Sequence, residues 1–259
     1  MAQVIRPFLS PACAMVATVV ACCSPRQVDA PRASNPNAGT SDILPIPAGT
    51  FQMGMEPGQT EGHTTTIHEF WLDRAEVTVR AYETCVAEGK CTPAERTWKT
   101  CNHLESGRHA DHPANCVNWN QANAYCRSKG MRLPTEQEWE FAARGSDGRL
   151  YPWGNAKPEG QACSGKDLTG TCPVTSHPQD LSPFAILDMA GNVKEWTATP
   201  AALPGNVKAY VIRGGGWEFD GLRQEMPISV TERDTLIPAE AAADVGFRCA
   251  SDRKIDRHE

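Results

Sequence analysis

The chain has 259 residues and a formal net charge of −6. Acidic and basic residues are mixed along it with no basic stripe, which argues against nucleic acid as a partner. Its 21 glycines and 20 prolines predict many turns and few long elements.

Residues 1–21 read as a lipoprotein signal peptide. Arg6 is the only charge before the apolar run PACAMVATVVA, and Val-Val-Ala-Cys at 19–22 matches a lipobox. Cys22 then becomes the lipidated first residue of the mature chain. The run is too short for a comfortable transmembrane helix. Cys23 is not the aspartate of the usual inner-membrane retention signal. The expected address is the bacterial cell envelope, with the protein lipid-anchored to the outer membrane. Residues 22–42 form the anchor and a flexible tether, because SPRQVDAPRASNPNAGTSD has no aromatic and little to bury. A folded domain over 43–250 and a charged tail over 251–259 follow.

Within the domain, ILPIPAGTFQMG at 43–54 predicts short strands joined by a tight turn, and HEFWLDRAEVTV continues in strand-like residues. A helix is expected from about Val79 to Ala87, stopped by Gly89. Asn118 or Asn120 caps the next one, which buries Ala122, Tyr125 and Cys126 and ends at Gly130. Thr135 and Glu138 form a capping box for a third, whose buried side is Trp139, Ala142 and Ala143. Glu136, Glu138 and Glu140 serve capping and solvation rather than acid–base chemistry on this reading. From Tyr151 to Gly191 repeated Pro and Gly break every pattern, so order there requires staples or a bound ion. VIRGGGW at 211–217 is hairpin-like and VGFRCA at 245–250 is a closing strand. The fold class is α+β with much irregular structure.

Eight cysteines lie past Cys23: Cys85, Cys91, Cys101, Cys116, Cys126, Cys163, Cys172 and Cys249. An even count in an exported chain argues for disulfides. Cys85/Cys91, Cys101/Cys116 and Cys163/Cys172 are spaced to staple local loops, which would leave Cys126 and Cys249 to close a long one. Zinc is disfavoured because no close CxxC pair or His/Cys cluster appears. His109, Asp111 and His112 form the only compact trio with metal-ligand chemistry.

Eight motifs stand in order: IPAGTFQMG (46–54), FWLDRAEVTVRAY (70–82), HPANCVNWNQANAYC (112–126), GMRLPTEQEWEFAARG (130–145), YPWG (151–154), DMAGNVKEWT (188–197), RGGGW (213–217) and GFRCA (246–250). Together they resemble the formylglycine-generating enzyme family, also called the sulfatase-modifying factor domain. The resemblance implies a single domain related to the C-type lectin fold and stabilised by disulfides and calcium. It implies a Cys126–Cys249 bridge. It also implies structural calcium on the Asp188 carboxylate, the Gly191 and Val193 carbonyls and the Glu195 carboxylate, a set of hard oxygen donors suited to that ion.

The family's oxidases bind copper(I) through two cysteines just after the glycine-rich motif and oxidise a sulfatase cysteine to formylglycine. Here those positions fall at about Phe219 and Gln224, which supply no thiolate, and the motif's serine is Gly216. Copper is therefore not expected. The former cleft would be lined by Trp217, Phe219, Asp220, Arg223 and Gln224, facing an unidentified protein, peptide or glycan. Two readings follow: an anchored binding or accessory protein, or an oxidase. The oxidase would be formylglycine-generating by another route, or metal-dependent with a different reaction.

Overall fold

The computed structural model describes residues 42–54, 62–94, 98–165, 168–217 and 228–255. Cys22, the signal segment and the tether lie outside the described residues. Among the described residues no helix is long and apolar enough to cross a membrane.

The fold is mixed α and β. Nine short strands are β1 (Ile43–Ile46), β2 (Gly49–Met53), β3 (His63–Ile67), β4 (Phe70–Asp73), β5 (Lys194–Leu203), β6 (Val207–Arg213), β7 (Arg233–Leu236), β8 (Val245–Gly246) and β9 (Ala250–Ser251). They make sheets ordered β1-β4-β9, β2-β3 and β7-β6-β5-β8. All pairings are antiparallel except β5 with β8. The two strands of 43–54 are both present but do not pair with each other; β1 takes β4 and β2 takes β3. The closing segment 245–250 splits between two sheets. Phe247, Arg248 and Cys249 between β8 and β9 are all fully buried, so the chain is enclosed on both sides there and leaves one sheet for another.

Local chemistry sets the helices. Thr78 accepts from Ala81 N and starts α1 (Val79–Ala87), and Gly89 follows its end at φ 71°. A 3-10 turn (Asn102–Glu105) leads into one turn of helix, α2 (Ser106–His109). Asn118 and Gln121 make a reciprocal capping box on α3 (Trp119–Ser128). Thr135 and Glu138 do the same on α4 (Glu136–Arg144).

Two apolar clusters carry the core. One gathers Tyr82, Tyr125, Trp196 and Phe247 around α1, α3 and β5. The other packs Ile46, Phe51, Phe70, Trp139 and Phe141 between α4 and the N-terminal strands. Four disulfides join Cys85–Cys91, Cys101–Cys116, Cys126–Cys249 and Cys163–Cys172.

Among the described residues between α4 and β5 there is no helix or strand. Order there comes from the Cys163–Cys172 bridge and from buried side chains that hold the backbone. Thr175, Ala185, Asp188 and Asn192 all take positive φ, an unfavourable region for these residues. Asp188 Oδ2 accepts from Thr175 N at 2.6 Å, Asp180 Oδ2 from Ala190 N at 3.1 Å, and Asn192 Oδ1 from Cys172 N at 2.9 Å.

Gly214 follows β6 at φ 82°, and a Cβ built there meets the Trp139 ring at 2.9 Å. Gly214→Ala should therefore cost about 2–3 kcal/mol from backbone strain and overpacking together. A lowered urea midpoint at unchanged m-value checks it; an unchanged midpoint would show that the Trp139 contact is not tight.

Candidate functional site

The first buried polar centre lies where β5, the turn 188–193 and the segment after β8 meet. Glu195 opens β5 and is fully buried. Its oxygens accept from Arg248 Nε at 3.0 and 2.7 Å and from Arg248 Nη2 at 2.7 Å, while Trp139 Nε1 donates at 2.8 Å. Arg248 Nη2 also donates to the Leu187 and Asp188 carbonyls at 3.0 and 3.1 Å. One guanidinium thus ties a strand to a loop that has no ladder of its own. Glu76, just before α1, accepts from Asn192 Nδ2 at 2.7 Å and Val193 N at 3.3 Å.

Four buried carboxylates, those of Glu76, Asp180, Asp188 and Glu195, share this neighbourhood with the Arg248 cation. Charges of one sign crowded in a dry interior resist ionisation. Burial first, then Asp188 and Glu195, hold the Glu76 carboxyl well above the usual range. Burial and then Asp188 push Asp180 up to about 8. Burial raises Asp188 to about 6. Asp180 Oδ1 is buried with no hydrogen-bond partner.

A second centre stands under the glycine run. Arg213 ends β6 and pairs with Glu140 of α4, which also holds Arg144 at 2.7 Å and accepts from Gly54 N at 2.7 Å. Burial pulls the Arg213 pKa down, against the pull of Glu140. Glu140 is therefore not a solvated helix residue, as its sequence position implied; it is fully buried between two arginines. Its neighbour Glu136 accepts from Arg233 Nε at 2.8 Å, and Glu138 combines its cap with an ion pair to Arg132 at 2.7 Å.

These centres brace the run Gly214-Gly215-Gly216-Trp217. Trp217, expected to line the former cleft, is buried at the end of this run. It is only 6% exposed, its N–H donates to Asn192 O at 2.8 Å, and its indole Nε1 donates to Ala243 O at 3.2 Å. The backbone of Trp217 is thus tied to the 188–193 turn and its ring to the segment before β8. A Cβ at Gly216 would lie 3.1 Å from Asp244 Cβ, so the family's serine would be tight here. Phe219, Asp220, Arg223 and Gln224 lie outside the described residues. Each of the eight cysteines past Cys23 is in a bridge.

The His109, Asp111, His112 trio does not converge. The two imidazoles meet at 4.7 Å between centroids, but Asp111 turns outward to Arg80 Nη2 at 2.9 Å. Among the described residues no three His, Cys, Asp or Glu side chains are grouped to hold a metal ion. The calcium set, with two carboxylates and two carbonyls, needs no such triplet.

Sequence reading missed Glu76, Asp180, Glu140, Arg213 and Arg248. Two carried a signal: Glu76 and Arg248 are charges inside the otherwise apolar runs AEVTV and VGFRCA.

Residues 29–253 match the family described as the sulfatase-modifying factor enzyme 1-like domain. The inactive C-alpha-formylglycine-generating enzyme 2 of Bos taurus is 30% identical over 273 residues, covering 83% of this chain and 89% of the relative. The formylglycine-generating enzyme of Thermomonospora curvata is 32% identical over 302 residues, covering 86% and 97%. Among solved structures, CarF superposes with a TM-score of 0.64 at 24% identity, covering 82% of this chain and 98% of that one. PvdO from Pseudomonas aeruginosa gives 0.61 at 24%, covering 82% and 94%. These two structures speak to the fold alone, and the curated relatives include both active and inactive proteins. With the family match spanning nearly the whole domain, the chain belongs to the sulfatase-modifying factor, or formylglycine-generating enzyme, family.

Proposed function

We propose that this protein is a lipid-anchored family member of the bacterial cell envelope that works as a binding or accessory protein rather than as a copper oxidase. One observation carries the reading: all eight cysteines past Cys23 are consumed as structural bridges, while the copper positions fall at Phe219 and Gln224. Copper(I) needs soft thiolate donors, and a bridged sulfur is not one. The partner is a protein, peptide or glycan met outside the cytoplasm, on a scaffold related to the C-type lectin fold. Anchoring through Cys22 keeps it at the outer membrane.

The test uses the full chain with copper(I), dioxygen and a peptide bearing a sulfatase cysteine motif. The expected mass spectrum shows unmodified peptide. An aldehyde at the cysteine above the metal-free control would sink the non-oxidase reading.

Calcium belongs to the same proposal, as a structural ion. Chemistry favours it: four buried carboxylates outnumber the single Arg248 cation, and Asp180 Oδ1 is left without a partner. Glu195 already serves Arg248 and Trp139 with both oxygens, so the carboxylate support would come mainly from Asp188 and the adjacent Asp180. The Gly191 and Val193 carbonyls would complete the protein's share. The ion would neutralise buried carboxylates and fix the positive-φ turn at 188–192. Millimolar calcium should raise the melting temperature by about 5 °C over chelated protein, as binding to the folded state alone requires. Asp188→Asn should remove that response. A wild-type melting temperature indifferent to calcium and chelator would overturn the calcium assignment.

A further inference from the structure

The Cys101–Cys116 and Cys163–Cys172 loops are knitted together. Val174 N donates to Asp111 O at 2.8 Å. Asn102 Nδ2 donates to Pro113 O at 2.8 Å and to Thr171 Oγ1 at 2.9 Å. Each loop is closed by its own disulfide, so the wall between them is held rigidly. A cavity of about 340 Å³ opens on it, lined by Lys99, Asn102, Glu105, His109, Thr169 and Thr171 among others.

His109 ends α2 and His112 follows three residues later, with the rings edge to face at 4.7 Å. His109 Nδ1 is buried and has no hydrogen-bond partner. An orphaned buried nitrogen of this kind is unfavourable unless something binds it. His112 Nδ1 lies 2.9 Å from Thr171 Oγ1, which orients its ring and leaves Nε2 for a ligand.

We propose that His109 and His112 form a binding site for an imidazole-preferring divalent transition metal. His109 lies in the cavity wall, and water there completes the shell. A closed structural zinc site takes four protein ligands. Two imidazoles leave coordination positions open, so this site captures an exchangeable ion and can present it to a second ligand. Its nitrogen donors distinguish it from the oxygen-lined calcium site, and it stands whether or not the binding-protein reading holds.

The experiment uses the chelator-stripped full chain titrated by calorimetry with Zn²⁺ and, separately, Cu²⁺. One equivalent of each should bind, Cu²⁺ more tightly than Zn²⁺. Excess Ca²⁺ should displace neither. His109→Ala and His112→Ala should each weaken Zn²⁺ binding at least tenfold, whereas Asp111→Asn and His177→Ala should leave it unchanged. Electron paramagnetic resonance of the wild-type Cu²⁺ form should show two imidazole nitrogens, a readout independent of how the variants fold. Zn²⁺ affinity unaltered in both histidine variants, or a Cu²⁺ spectrum with fewer than two nitrogens, would overturn the proposal.

Discussion

Arg248→Met should destabilise the protein by about 3–5 kcal/mol, because removing one partner of a buried pair strands the other charge. For a domain of this size that corresponds to a loss of roughly 10 °C or more in melting temperature. The wild-type guanidinium is fully buried, holds Glu195 through three hydrogen bonds and reaches the Leu187 and Asp188 carbonyls. Methionine fills part of the volume and satisfies none of those acceptors. It also leaves Glu76, Asp188 and Glu195 facing one another without the cation that now separates them. The double variant Arg248→Met, Glu195→Met should recover part of the loss, since an apolar pair is far less costly than a lone buried carboxylate. Denaturant unfolding of the two variants measures this. A single variant within about 1 kcal/mol of wild type would mean that the centre is hydrated and the ion pair incidental.

Removing the Cys126–Cys249 bridge has an effect of the same size. The two cysteines are 123 residues apart in sequence, so the bridge forbids many of the unfolded chain's conformations. In the loop-entropy model Cys126→Ala, Cys249→Ala costs about 5 kcal/mol, against about 2.2 kcal/mol for the six-residue separation of Cys85–Cys91. Thermal unfolding of the two double variants side by side should show the long bridge costing about twice as much. Equal losses would mean that native-state contacts, and not chain entropy, dominate both bridges.

What the sequence made legible was local. The Thr135–Glu138 box forms as read, and of the two candidate caps Asn118 and Asn120 it is Asn118 that caps α3, in a box with Gln121. Short cysteine spacings pointed to the loops that the bridges close. The buried ionic centres were not legible, because their partners are far apart: Glu140 meets Arg213 across 73 residues, and Asn192 meets Glu76 across 116. Glu140 also sits four residues from Arg144, the spacing of an ordinary surface pair on a helix. It is buried instead because α4 packs on nearly all sides, with Glu136 and every residue from Trp139 to Arg144 inside. Trp217 followed the same logic in reverse. The family resemblance put it on a cleft wall, and only the Ala243 and Asn192 carbonyls, distant in sequence, show what holds it.

The most direct test of the account asks whether the domain holds any free thiol. Folded full-length protein is unfolded without reductant, alkylated and digested, and the cysteine peptides are identified by mass. The account predicts no alkylation at Cys85, Cys91, Cys101, Cys116, Cys126, Cys163, Cys172 or Cys249, and cross-linked peptides joining the four pairs. Alkylation of two of these positions in the native oxidised protein would contradict it, since a free pair is the donor set that copper(I) chemistry requires.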